Sequence, residues 1–164
     1  MSNKNELFHI EWDGLEELKE LFDQMDENFQ RILIEEFTDY GSLVEEGAKA
    51  LAPKDAGDLV DSINATKAEI HGHTVEVSVG SNSKYAVRRH EEPYRKGHFP
   101  KYDNGSKFDN YYINGRGKRT RSKHRWKGQP TGRKYLQNAI NATESDYKKM
   151  LERILKRTLG GDKL

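Results

Sequence analysis

The residues able to do chemistry are few, and their spacing works against it. His71 and His73 bracket Gly72 and offer two imidazoles, but no third ligand is close in sequence. The chain has no cysteine, which removes thiolate metal sites and disulfides together. His90-Glu91-Glu92 has the opening of a zinc-protease helix, yet Tyr94 stands where its second histidine belongs. Ser62 and Ser78 have no base nearby. The many carboxylates of residues 11–46 fall at helical spacing and form a solvated face. No glycine-rich loop joins a strand to a helix where it would cradle phosphate. These patterns predict no catalytic residue, no metal and no cofactor, and a protein that is not an enzyme.

One segment does carry a chemical bias. Arg116, Lys118, Arg119, Arg121, Lys123, Arg125 and Lys127, with Trp126 among them, would attract phosphate and offer a ring for stacking. The same charges would equally suit carboxylates on a neighbouring subunit. Both readings stay open at this point: a surface facing DNA, or an interface between subunits.

Charge is divided along the chain. Residues 1–50 hold fourteen carboxylates against four basic residues, and residues 95–134 hold thirteen basic residues against Asp103 and Asp109. The net charge of +1 hides this split. Copies could pack with unlike faces together, as a head-to-tail ring requires. Hydrophobic and charged residues each make up 34% of the chain, and the mean hydropathy is -1.01, so the core must be modest. No apolar run approaches membrane-spanning length, and none is expected to contact a membrane.

The expected architecture is α+β: N-terminal helices on a small antiparallel β-sheet, a long extended basic insertion, and a C-terminal helix. One domain spans 1–164. Its parts are an acidic helical region (11–52), a turn and sheet (53–92), a basic-aromatic insertion (93–127) and a final helix (128–160). Leu15, Leu18, Phe22 and Met25 predict a short amphipathic helix. Phe29, Ile32, Leu33, Phe37, Tyr40, Val44, Ala48 and Leu51 predict a second, about 25 residues and roughly 37 Å long. Gly41 and Gly47 inside it mark places of close packing. Pro53 stops the helix and Gly57 suits a reversal.

Beyond the turn the period changes. Ile63–Ile70 and Thr74–Gly80 read as a hairpin whose apolar face the preceding helix covers. Tyr85–Glu92 fits a strand or a short helix. Asn114-Gly115 predicts a hairpin tip within 111–117. Thr131 is a candidate cap for a helix whose stripe runs from Tyr135 to Leu159, with Gly160-Gly161 as its stop.

Three short motifs add to this reading. Ala52-Pro53-x-x-x-Gly57-x-Leu59-x-x-Ser62-Ile63 comes first, then Tyr85-Ala86 with His90-Glu91, then Tyr135-Leu136 opening the last helix. Together, and in this order, they resemble the HK97 gp10-like family of tailed-phage neck and tail-completion proteins. One position departs: the family usually has Thr or Ser before the glycine, and here Ala56 stands there. The resemblance implies a structural virion protein, assembled in the host cytoplasm. It would form an oligomeric ring, a hexamer or dodecamer, that joins the head connector to the tail or completes the tail end. Its partners would be copies of itself and the adjoining connector, stopper and tail proteins, with DNA passing in transient, non-specific contact. The alternative is a nucleic-acid-binding module that uses residues 95–134.

Overall fold

The computed structural model describes residues 27–54, 57–91, 112–113 and 116–159, with backbone only for 112–113 and 116–118. The predicted helix around Leu15–Met25 lies outside the described residues. Helix α1 (Glu27–Leu51) is the axis of the fold. Phe29, Ile32, Leu33, Phe37, Tyr40, Val44, Ala48 and Leu51 form a stripe at helical spacing, and these eight are buried. Side chains such as Phe37, Leu33 and Val44 each stabilise the fold by about 1.5–3 kcal/mol through removal from water. The last helical bond runs from Ala52 N to Ala48 O (2.8 Å), just before Pro53.

After a single turn of helix, α2 (Asp58–Asp61), the chain enters a long bent hairpin. Strand β1 (Ile63–Ala65) pairs antiparallel with β4 (Val79–Ser81), and β2 (Glu69–His71) pairs with β3 (Thr74–Glu76). Between these ladders Thr66 N donates to Ser78 O at 2.8 Å. Lys67 and Ala68 therefore stand opposite Val77 alone, the two-against-one count of a β-bulge. The returning strand keeps strict alternation, and Val75, Val77 and Val79 all face the core.

Helix α1 covers that face, as the sequence predicted, and also closes the free edge of β1. Ala65 N donates to Glu45 Oε2 (2.7 Å) and Ala68 N to Thr38 Oγ1 (3.0 Å), so two outward edge N–H groups are bound by helix side chains. Gly41 makes this approach possible. A Cβ there would lie 2.6 Å from Val77 Cγ2.

Of the segment from Tyr85, residues Ala86–Glu91 form helix α3. Strand β5 (Tyr112–Ile113) pairs antiparallel with β6 (Arg116–Gly117), and the Asn114-Gly115 tip lies outside the described residues. The chain continues as α4 (Lys118–Arg121). Residues 119–131 depart from the expected extended insertion, because they fold back onto the C-terminal end of α1. The final helix differs too. It begins as α5 (Tyr135–Ala142) and resumes as α6 (Glu144–Thr158), broken at Thr143. There the Thr143 N–H and hydroxyl both donate to Ala139 O and Ile140 O, a local bonding that ends one helix before the next starts. Thr131 is not the cap; it is buried, with its hydroxyl on Thr120 O at 3.0 Å. Lys134, at φ 57°, precedes α5 instead.

Helix α6 is pinned to α1 by charge. Glu36, expected on a solvated face, is buried and accepts from Arg153 and Arg157 at 2.9 Å each. Its angular position on α1 turns it toward α6 instead of water. Arg157 also holds Glu35 at 2.9 Å. Beside them the Tyr40 hydroxyl meets Thr143 Oγ1 at 3.1 Å.

Candidate functional site: the junction of the three motifs

The first motif leaves the end of α1, where four carbonyls lack helical partners. Lys123 Nζ reaches in and donates to Lys49 O and Ala52 O, both at 2.8 Å. Gly132 N donates to Leu51 O at 2.7 Å. Lys54 N donates to Thr120 Oγ1 at 2.9 Å, and Thr131 ties Thr120 from the other side. Burial, with Lys54 nearby, lowers the Lys123 ammonium to about 8. The segment from Thr120 to Gly132 thus acts as the C-terminal cap of α1.

Gly57 follows at φ 127°, a conformation that side chains rarely adopt. Pro53 and Leu59 are half-buried, while Ala52 and Ile63 are fully inside. The Ser62 hydroxyl contacts Leu59 O (2.8 Å) and Ser81 Oγ (2.6 Å), which locks the turn to the far end of the hairpin. Asp55 and the departing Ala56 lie outside the described residues.

The second and third motifs meet directly. Ala86 and Leu136 are buried, and the buried Tyr135 hydroxyl donates to Ala86 O at 3.4 Å. The His90 ring stands edge-on to Tyr135 at 5.1 Å. Lys134 N donates to His90 O at 3.0 Å, and its Nζ grips both oxygens of Glu91, one at 2.6 Å. Glu91 in turn meets His90 Nδ1 at 2.7 Å. Burial raises Tyr135 to about 12. It lowers His90, against the partial pull of Glu91. Glu91 is held below the usual carboxylate range by Lys134 first and His90 second. Tyr85 is the exception among these residues, since it is exposed.

The basic set is divided by the same folding. Lys123 is turned inward. Trp126 is half-buried and lies against α1, where a Cβ on Gly47 would come within 2.5 Å of its ring. Lys127 pairs with Asp146 at 2.5 Å and sits over the Trp126 ring at 5.4 Å. Arg119, Arg121 and Arg125 are exposed. The side chains of Arg116 and Lys118 lie outside the described residues.

Sequence reasoning missed Thr120, Gly132 and Lys54, for which no local spacing gives a signal, and gave Thr131 the role of a cap instead of a tie to Thr120. It also missed Glu36, whose two arginines are more than a hundred residues away. Among the described residues no group of three or more His, Cys, Asp or Glu side chains could hold a metal ion, and no helix is long and apolar enough to cross a membrane. Most of the described polar contacts at the junction hold one element to another.

The motif residues of this α+β domain fix one long helix against a hairpin and two helices. Residues 16–88 match the model of the HK97-gp10-like family, described as "Bacteriophage HK97-gp10, putative tail-component". Over that segment, 73 of the 164 residues, the chain is similar to this family of phage tail components. The match takes in α1, the hairpin and the start of α3. No curated protein and no solved structure matches the chain significantly.

Proposed function

We propose that the protein forms an oligomeric ring at the neck or tail end of a tailed phage, joining head connector to tail or completing the tail, with DNA passing through its channel. The observation that carries this reading is that each of the three motifs is spent on joining elements: the first leaves the C-terminal end of α1, and the second and third meet each other. Lys123 and Gly132 hold the end of α1, and Lys134 and Tyr135 hold α3, the fixed joints that a subunit keeping its shape under assembly requires. The charge split between the acidic first third and the basic segment supports unlike faces, the condition for a closed head-to-tail assembly. Its partners in this reading are copies of itself and the adjoining connector, stopper and tail proteins.

A nucleic-acid-binding module is less well supported. Trp126, which would stack on bases, lies against Gly47, and Lys123 and Lys127 are occupied within the chain. The test is co-sedimentation with purified phage tail tubes and, separately, with short duplex DNA across a salt series. The structural reading expects saturable retention by tubes and weak, steeply salt-dependent retention by DNA. Tight DNA binding at physiological salt with no retention by tubes would overturn it.

A further inference from the structure

We propose that the exposed acidic stripe of α1, centred on Asp39 and Glu46, is the docking surface for the Arg119–Arg125 face of a second copy of this chain. The inference rests on the ring reading above and adds to it the two faces that meet.

Along α1 the exposed positions Arg31, Glu35, Asp39, Ser42 and Glu46 recur at steps of three and four, so they form one solvent-facing stripe. Glu35 is engaged by Arg157. Asp39 and Glu46 take part in no ion pair among the described residues, and two turns of helix, about 10 Å, separate them. At the other surface Arg119, Arg121 and Arg125 are exposed, while Lys123 between them is turned inward to hold the α1 carbonyls. That inward lysine fixes the arginine face at the end of the helix. Asp39 lies twelve residues before Leu51, about 18 Å along the axis, beyond the roughly 8 Å over which exposed charges act at physiological salt. Asp39 is therefore not neutralised by the arginine face of its own chain, whereas Glu46, five residues before Leu51 and about 7.5 Å along the axis, lies within that range. A neighbour in a head-to-tail arrangement would bring the two together.

Arginine favours this partner over nucleic acid, since its planar fork matches carboxylates in two-point contacts. Duplex phosphates could use the same forks. However, the near-neutral chain, with a sequence pI of about 7.9 and a carboxylate stripe, lacks the overall basic character of a DNA reader.

Two full-length variants test the pairing. One carries Arg119→Glu, Arg121→Glu and Arg125→Glu; the other carries Asp39→Arg and Glu46→Arg. All five positions are exposed, and circular dichroism checks that each variant folds. Each alone should self-associate at least tenfold more weakly than the native chain, because like charges now face each other. An equimolar mixture should regain assembly, since every second interface is again complementary and the others are complementary with signs exchanged. If either variant assembles like the native chain, or the mixture stays dissociated while the native chain assembles, the inference fails and the ring reading stands. A native chain that never self-associates, alone or with tail tubes, removes both. Loss of duplex retention in the first variant with unchanged assembly assigns the arginines to DNA and overturns the inference.

Discussion

The rings of His90 and Tyr135 meet edge to face, 5.1 Å between centroids and 82° between planes, and so bind the second motif to the third. Such pairs contribute about 0.5–1.5 kcal/mol beyond the area they bury. The two residues lie 45 positions apart in sequence, yet their contact joins α3 to the start of α5.

This contact predicts an acid-sensitive joint. Burial lowers His90 below its ordinary 6.5, so the unfolded chain takes up the proton first as pH falls. The contribution of His90 is fully present above about pH 6.5 and is lost as pH drops through its folded value. Thermal unfolding between pH 7.5 and 5.5 should show a falling midpoint, and His90→Gln should flatten that slope. Glu91 is depressed as well, but its loss belongs to more acid pH.

Lys123 should titrate near pH 8 instead of 10.5, which the nitrogen chemical shift of its ammonium would show. Lys123→Ala leaves the carbonyls of Lys49 and Ala52 without this donor and should cost about 1–3 kcal/mol by denaturant unfolding. A loss below about 0.3 kcal/mol would mean that water replaces the ammonium freely.

Gly47→Ala drives a methyl group to within 2.5 Å of the Trp126 ring and should destabilise by about 1–3 kcal/mol, with a shift in Trp126 emission. In a Trp126→Ala background the same change should cost little, because the better helix propensity of alanine then works in its favour. Equal costs in both backgrounds would show that the indole is not the obstacle.

Glu36→Gln removes the shared partner of Arg153 and Arg157 from a buried site. About 2 kcal/mol should be lost, less than for a fully buried pair because the arginines keep partial access to water. Arg157 is 22% exposed and Arg153 53%, so Arg157→Ala should be the more damaging of the two single changes.

Periodic features of the fold were legible in the sequence. The stripe from Phe29 to Leu51 and the alternating Val75, Val77 and Val79 each have a short-range signature and appear where they were expected, and paired strands flank the position of Asn114-Gly115. Gly41 and Gly47 announced close packing, and the structure supplies Val77 and Trp126 as the neighbours. What remained hidden depends on distant pairings. The bulge at Lys67-Ala68 follows from edge bonds to Thr38 and Glu45, and the break at Thr143 from a hydroxyl that competes for helix carbonyls. Lys123 reads as one more charge in a basic run until α1 ends beside it.

The central claim is that this chain assembles with itself, and one measurement bears on it most directly. The mass of the full-length protein is followed by light scattering after size-exclusion chromatography, alone and with tail tubes, and each peak is imaged by negative stain. The account predicts a discrete mass at a fixed multiple of 19.0 kDa and closed rings with a central hole. A 19.0 kDa monomer under every condition, with no ring on the tube ends, would contradict it.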